Sequence, residues 1–130
     1  MRINSYNGYI MILTLYTENV FNAAHRLMDY QGQCAELHGH SWKVGLWVRG
    51  SEELLKPNGI LWDFSNLKVL TDKLDHKYLN DVIDVNPTCE NITIFLYKCC
   101  KEADPQLEFK VRVWENAVNK NSFCETGDFT

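Results

Sequence analysis

The order of strand-like and helix-like segments along this 130-residue chain predicts an α+β fold. Two strand-like segments come first, two helix-like segments follow, and two more strand-like segments complete the order ββααββ. Strands grouped on either side of paired helices predict an antiparallel sheet covered on one face by the two helices. The length allows one domain over residues 1–130, of which residues 1–8 are predicted to be a loose polar leader.

The first two strands are indicated by residue type and by alternation. β-Branched and aromatic residues over 10–20 favour a strand, although the alternation there is imperfect. Over 38–48 one parity is apolar or histidine throughout, while Lys43 falls on the other face. This alternation is typical of a half-buried antiparallel strand. The residues that share the buried parity are His38, His40, Trp42, Val44, Leu46 and Val48.

Turn and capping signals delimit the two helices. The turn signal at 57–59 precedes Asp63, which can cap the first helix. Thr88 is the predicted N-cap of the second helix, which ends before the next proline. Apolar residues at helical spacing in the first helix are Phe64, Leu67, Leu70 and Leu74. Those in the second helix are Ile92, Phe95, Leu96 and Cys99. A hairpin follows, with strands over 109–114 and 122–125.

Composition argues against several classes of partner. The net charge is −4 and no cluster of Lys or Arg is present, so we expect no nucleic acid as a main partner. No apolar stretch is long enough to span a bilayer, so we expect no membrane partner. Five cysteines, an odd number without a CxxC pair, favour reduced thiols. With no export signal in the sequence, the expected location is cytoplasmic.

Three of the four histidines form the pattern that points most directly to chemistry. His38 and His40 project from one face of a strand and can share a metal ion, and His25 can supply a third imidazole from the end of the preceding strand. Three imidazoles with an open fourth position are the arrangement of a catalytic zinc. The alternative is that each is a hydrogen-bonded structural histidine.

Cys34 lies four residues before His38, and this spacing leaves three roles open. It can be a fourth metal ligand, a buried packing residue, or a reactive thiol that loses its proton easily beside a cation. As a fourth ligand it would close the zinc site, and the chain would then be a non-catalytic zinc-binding protein.

Three further residues have both functional and structural interpretations. Asp75 and His76 can act together at a helix end, or they can be a helix-terminal carboxylate and a surface histidine. Glu115 shares the parity of Val111 and Val113. A carboxylate on an apolar face needs a cation or paired N–H donors, such as those of a heterocycle. The alternatives for Glu115 are solvent at the strand end or a salt bridge.

The separated motifs of this chain, in this order, resemble the 6-carboxytetrahydropterin synthase family, which is related to 6-pyruvoyltetrahydropterin synthase. The resemblance runs from about Phe21 to about Glu115 and covers most of the chain. The segments that carry it are 21–27 (FNAAHRL), 34–41 (CAELHGHS), 59–64 (GILWDF), 74–81 (LDHKYLND), 86–91 (NPTCEN) and 114–115 (WE).

The resemblance implies the tunnelling fold (T-fold), in which three ββααββ subunits close a barrel and two trimers stack into a homohexamer. It also implies a role for each site residue. The implied Zn²⁺ ligands are His25, His38 and His40. The implied acid–base residues are Cys34, Asp75 and His76. The implied pterin-binding residues are Glu115, which anchors the ring, with Thr88 and Cys89, whose backbone lines the pocket.

The implied reaction is that of a carbon–carbon lyase in the queuosine (7-deazaguanine) precursor pathway. It converts 7,8-dihydroneopterin triphosphate to 6-carboxy-5,6,7,8-tetrahydropterin, acetaldehyde and triphosphate. Three residues separate Cys34 from His38, which resembles the carboxy-forming branch, whereas the pyruvoyl-forming branch, which eliminates triphosphate, usually has more. Candidate cations for the triphosphate are Arg26, Lys43 and Lys77. The chain departs from the family at Asn116, in its N-terminal leader and in its C-terminal hairpin.

Overall fold

The computed structural model of the chain describes residues 8–130, so the predicted leader lies outside the described residues except for Gly8. The five strands are β1 (Ile12–His25), β2 (His38–Ser51), β3 (Lys77–Tyr78), β4 (Glu108–Trp114) and β5 (Phe123–Gly127). The three α-helices are α1 (Asn66–Asp72), α2 (Leu79–Val82) and α3 (Cys89–Ala103). In the described part of the chain no helix is long and apolar enough to cross a membrane.

The two longest strands pair with each other over their whole length. β1 and β2 have 14 residues each and run antiparallel, with Ile12 opposite Ser51 at one end and His25 opposite His38 at the other. The predicted alternation of β2 is confirmed, because its even-numbered residues are the ones that turn toward the helices. β1 continues past the predicted end at residue 20 and includes His25.

The sheet has the strand order β3-β1-β2-β4-β5. All neighbouring pairs are antiparallel except β3, which pairs parallel with β1 at Ala23 and Ala24. α1 packs against β1, and α3 packs against β4 and β5. The predicted α+β arrangement is therefore confirmed for the long elements. β3 and α2 were not predicted, because two and four residues are too short to carry a periodic signal.

The core lies between the sheet and the helices, and it includes most of the residues that periodicity assigned to it. Trp42, Leu46 and Ile92 are essentially inaccessible to solvent. Phe64 is an exception, since α1 begins only at Asn66 and Phe64 lies in the preceding turn with 52% of its surface exposed. The predicted helix cap is also displaced: the N-cap of α1 is Ser65, which makes no side-chain cap bond. The Asp63 carboxylate instead accepts hydrogen bonds from the Ser65 N–H and hydroxyl in the preceding turn.

The capping prediction for α3 is confirmed. The Thr88 hydroxyl accepts a hydrogen bond from the Asn91 N–H at 3.1 Å, which satisfies one of the free donors of the first turn. The helix ends at Ala103, before Pro105, as the proline predicts. Of its predicted apolar face, Ile92 and Leu96 are buried, whereas Phe95 and Cys99 are partly buried at the edge of the core.

Asp128 ties the C-terminal segment to α3 and β4. Its carboxylate accepts hydrogen bonds from the Tyr97 hydroxyl and from the Phe109 N–H, the latter at 2.9 Å, and Lys101 Nζ lies 3.2 Å away. Burial alone would raise the pKa of Asp128, but these donors together outweigh it and hold the pKa below its usual value. The carboxylate is therefore held in its charged form.

We expect Asp128→Ala to reduce the free energy of unfolding by about 1–3 kcal/mol, because it leaves donors without their acceptor. Urea denaturation measures the loss. Asp72→Ala is the control, since Asp72 pairs with Lys68 on the exposed face of α1 and its removal should cost less than about 0.5 kcal/mol.

The Asp128 contribution should also depend on pH with a defined sign. Because the folded pKa is depressed, the contribution is complete above about pH 4 and is lost as the pH falls through the folded pKa. The difference between wild type and Asp128→Ala should therefore shrink on acidification. Equal losses of unfolding free energy in the Asp128 and Asp72 variants at neutral pH would contradict a stabilising role for the Asp128 hydrogen bonds.

Candidate metal centre

The β1–β2 register brings three histidines together. His25 ends β1, His38 begins β2 directly opposite it, and His40 lies two residues further along the same face. One ring nitrogen from each of the three lies within 4.8 Å of the others. His25 is fully buried, and His38 and His40 are half-buried. The structure therefore forms the cluster that the sequence pattern indicates.

Hydrogen bonds fix the tautomers of two of these rings. His25 Nδ1 lies 2.7 Å from the Pro87 carbonyl oxygen, and His38 Nδ1 lies 2.7 Å from the Glu36 carbonyl oxygen. Because a carbonyl can only accept, both Nδ1 atoms carry the proton and donate it. Both Nε2 atoms therefore present lone pairs, which is the usual preparation of an imidazole for a metal.

The Nε2 atoms converge into a group that could hold a metal ion. Those of His25 and His38 are only 2.9 Å apart, although each carries a lone pair when the rings are neutral. The Nε2 atom of His40 is buried and has no hydrogen-bond partner. Burial lowers the pKa of His25 and of His40, so both rings are neutral at pH 7. A divalent metal that prefers imidazole fits this arrangement better than a shared proton does.

Glu115 lies against the same cluster. It follows the last residue of β4, and its Oε1 atom is 3.7 Å from Nε2 of both His25 and His40. The next turn is held beside His40 by a hydrogen bond from the Ala117 N–H to the Ser41 carbonyl oxygen. The side chain is 37% exposed. Sequence reasoning did not predict this proximity, because it arises from the pairing of β2 with β4.

A pocket of about 530 Å³ opens beside Glu115. Cys89, at the start of α3, lines it with Glu115, and Thr88 caps the helix immediately before it. The Cys89 thiol donates to the Val113 carbonyl oxygen at 3.4 Å, and burial raises its pKa to about 12. The structure thus brings two of the predicted pterin-binding residues, Glu115 and Cys89, to one pocket, which we call the Glu115 pocket, whereas Thr88 precedes Cys89 without lining it.

A second and more open pocket, of about 630 Å³, is lined in part by His40. It is lined by the end of β1, the start of β2 and residues 76–78, and we call it the His76 pocket. His40 lines this pocket and also approaches Glu115, which lines the other. The metal cluster is therefore adjacent to both pockets.

Asp75 and His76 form a pair at the end of the α1 segment. Asp75 Oδ1 accepts from the Asn22 N–H at 2.9 Å, and Oδ2 lies 3.5 Å from His76 Nε2. His76 has a φ of 56°, in the left-handed region, and its N–H donates to the Asn22 carbonyl oxygen. This turn brings the two neighbouring side chains together, which a continuous helix would not do. The His76 side chain is 79% exposed.

Cys34 lies in the loop between β1 and β2, within a short 3₁₀ turn (Gln33–Ala35). Its carbonyl oxygen accepts from the Leu27 N–H at 2.8 Å. Among residues 8–130 the clustered metal-binding atoms belong to the three histidines, and the half-buried Cys34 is not part of the group. This geometry favours an open three-histidine site over a closed site with a thiolate ligand.

Two asparagines that sequence reasoning left without a role hold this loop in place. The side-chain amide of Asn80 pairs with both the N–H and the C=O of Arg26, and that of Asn86 does the same for Met28. Both asparagines lie in segments that carry the family resemblance, 74–81 and 86–91, and this was the sequence signal that could have identified them. Without these contacts the loop that carries Cys34 would be free to leave the histidines.

The three candidate cations occupy different positions. Lys77 lines the His76 pocket, and Arg26 is exposed next to His25. Lys43 faces the opposite side of the sheet from His40, where it pairs with Glu18 at 3.1 Å. The structure therefore does not place Lys43 beside the histidines, because residues 40 and 43 have opposite parity on the strand and so point to opposite faces.

Comparison with known proteins relates this site to one family. The family model described as 6-pyruvoyl tetrahydropterin synthase matches residues 14–126. A 6-carboxy-5,6,7,8-tetrahydropterin synthase from Synechocystis sp. is 37% identical over 115 residues, covering 81% of this chain and 88% of the relative. A dihydroneopterin monophosphate aldolase from Pyrococcus furiosus is 34% identical over 102 residues, covering 73% of this chain and 82% of the relative.

The fold is shared with a solved structure of a related enzyme. The Caenorhabditis elegans 6-pyruvoyl tetrahydropterin synthase superposes with a TM-score of 0.70 at 24% sequence identity, over 92% of this chain and 98% of that chain. The subunit fold that the resemblance implies, an α+β T-fold, is confirmed.

If the cluster holds zinc, we expect His38→Ala to retain little of it, because two imidazoles make a weak site. Metal analysis and circular dichroism on the same sample measure the zinc content and the helices, which should persist. His76→Ala is the matched control, since this exposed fourth histidine lies outside the cluster and should keep its zinc. Stoichiometric zinc in His38→Ala would contradict the ligand assignment.

Proposed function

Because this chain belongs to the 6-pyruvoyl tetrahydropterin synthase family, we propose that it is a zinc-dependent 6-carboxytetrahydropterin synthase. The proposed substrates are 7,8-dihydroneopterin triphosphate and one water molecule, and the proposed products are 6-carboxy-5,6,7,8-tetrahydropterin, acetaldehyde and triphosphate. The observation that carries the proposal is the convergence of three histidine Nε2 atoms and one carboxylate beside a pocket. The Synechocystis relative and the Cys34–His38 spacing support the carboxy-forming branch within the queuosine precursor pathway.

In this proposal His25, His38 and His40 hold the Zn²⁺ ion. When bound, zinc supplies a Lewis acid for the hydroxyl groups of the substrate side chain. The hydrogen bonds to Pro87 and Glu36 orient two of the rings, so that their lone pairs face the ion without rearrangement. The absence of Cys34 from the cluster leaves a coordination position for the substrate, within the part of the chain that the structure describes.

Glu115 is the proposed anchor for the pterin ring. Two parallel N–H groups on a heterocycle suit a carboxylate, because it accepts both and the bonds are charge-assisted. The Glu115 pocket, at about 530 Å³, falls in the size range of small-molecule sites. Cys89 lines this pocket at the start of α3, and Thr88 caps the helix beside it. The side-chain carbon that reacts would then lie beside the metal.

Cys34 and His76 are the proposed acid–base groups. As a thiolate, Cys34 would remove a proton from the substrate side chain, and His76 would supply or accept the opposing proton. Asp75 is a positioning residue, since it contacts His76 and is itself fixed by the Asn22 N–H. Lys77 lines the His76 pocket and is the proposed cation for the triphosphate.

We further propose that the protein is a homohexamer of two stacked trimers. The sheet supports this, because β1 pairs on its outer side with β3 at Ala23 and Ala24 alone among the described residues. The remaining length of β1 and the outer side of β5 are therefore free edges, which proteins normally cover. Exposed Ile12 and Val20 lie along the β1 edge. Neighbouring subunits would continue the sheet there.

The decisive experiment is product analysis with the zinc-loaded protein. We expect 7,8-dihydroneopterin triphosphate to give acetaldehyde, triphosphate and a pterin with the mass of the 6-carboxy product. Triphosphate release without acetaldehyde would instead indicate the pyruvoyl-forming reaction. Turnover of the monophosphate alone would indicate the activity named for the Pyrococcus furiosus relative. No turnover of either ester would leave a non-catalytic zinc-binding protein.

We expect Cys34→Ala to keep its zinc but to lose turnover by roughly 10²–10⁴-fold, the usual contribution of a general base. Acetaldehyde release and metal content on the same preparation measure both effects. Cys99→Ala is the matched control, because this thiol is half-buried on α3 near Lys73 and outside both pockets. If zinc leaves with the Cys34 thiol, then Cys34 is a ligand and its catalytic assignment is wrong.

A further inference from the structure

The position of the Glu115 carboxylate is explained poorly by a role in ring binding alone. Its Oε1 atom is 3.7 Å from the Nε2 atoms of His25 and His40. This is too long for a direct hydrogen bond. It is close to the separation of about 3.4 Å between neighbouring ligand atoms on a tetrahedral zinc, given metal–ligand distances of about 2.1 Å. Oε1 therefore lies at ligand-to-ligand spacing from two of the three histidines.

The chemistry of the facing atoms leads to the same conclusion. His25 Nε2 carries a lone pair, because its Nδ1 proton is donated to Pro87, and His40 Nε2 is buried with no partner. At His25 the carboxylate oxygen therefore faces another acceptor, with no proton between the two atoms. Within residues 8–130 no backbone or side-chain hydrogen bond, and no Lys or Arg, holds the Glu115 carboxylate elsewhere. A cation among these atoms removes the repulsion.

We propose that Glu115 is a metal ligand in the resting enzyme and leaves the metal when its carboxylate accepts the N–H donors of the pterin ring. This inference rests on the proposed function, because it assigns a second role to the proposed anchor. The exchange needs only side-chain rotation, since Glu115 already lines the pocket in which the ring would bind. The coordination position needed by the substrate would then become free only when a heterocycle with paired N–H donors occupies the pocket.

The other carboxylates of the Glu115 pocket do not share this position. Glu125 is engaged by Arg112, at 2.7 Å, and by Lys110. Glu90 is exposed in the first turn of α3 and contacts none of the three histidines. Glu90→Gln therefore removes one negative charge from the same pocket without touching the metal centre. It is the matched control for Glu115→Gln.

The first measurement is metal retention and the visible spectrum of the Co²⁺-loaded protein. We expect Glu115→Gln to lose Co²⁺ to a competing chelator at least about tenfold more readily than wild type, with an altered ligand-field spectrum. Glu115→Ala should behave in the same way, which covers residual binding by the Gln amide oxygen. Glu90→Gln should match wild type, and circular dichroism should show all variants folded. Wild-type retention and spectrum in both Glu115 variants would overturn the inference.

The second measurement is the response of the Co²⁺ spectrum to neopterin, a pterin without phosphate groups. We expect neopterin to shift the wild-type spectrum and to leave that of Glu115→Gln unchanged. Bound neopterin that leaves the wild-type spectrum unchanged would overturn the proposed exchange. Calorimetric titration with neopterin distinguishes the ring-anchoring role of Glu115 from its metal-ligand role. If Glu115→Gln loses neopterin affinity but keeps normal metal affinity, the anchor role stands and the ligand role fails. If wild type binds no neopterin, the exchange fails, whereas product formation from 7,8-dihydroneopterin triphosphate decides the proposed function separately.

Discussion

The site depends first on the register between β1 and β2. Their 14-residue pairing places His25 directly opposite His38, and His40 follows on the same face. A slip of one residue would turn every side chain of one strand to the opposite face and would separate the imidazoles. The buried Trp42 is the next residue on the same face of β2, and it stabilises this register. Exposing a large apolar side chain of this kind costs about 3 kcal/mol or more. Core packing therefore sets the geometry of the metal centre.

The second requirement is that the ring nitrogens be oriented before any metal arrives. Pro87, just before the cap of α3, and Glu36, in the loop before β2, each offer a carbonyl oxygen to one imidazole. The same segment is fixed by Thr88, which caps the helix, so helix capping and ligand orientation are coupled. The cost is a set of lone pairs held close together. Metal binding relieves that cost and so should contribute to folding stability.

Local patterns in the sequence predicted much of this arrangement. They did not predict the contacts that depend on how distant strands pair. Alternation placed His38 and His40 on the buried face of β2, and the capping signal located Thr88. The approach of Glu115 to the histidines depends on how β4 aligns with β2, which no short segment encodes. Phe64 was misplaced because helical spacing continues into the turn before α1. Motif resemblance supplied roles for Glu115 and the acid–base residues that periodicity alone left open.

The two pockets next to the histidine cluster suit different parts of the proposed substrate. A ring anchored at Glu115 would extend its side chain past the histidines toward the His76 pocket, where Lys77 lies. Ring recognition and triphosphate binding would then occur in different pockets, both of them adjacent to the histidine cluster. His76 reaches this pocket from a left-handed turn at the edge of the sheet, fixed by Asn22. Because β1 and β3 form that edge, a neighbouring subunit that extends the sheet would also narrow the pocket and exclude water from it. In this arrangement assembly and catalysis depend on the same strand edge.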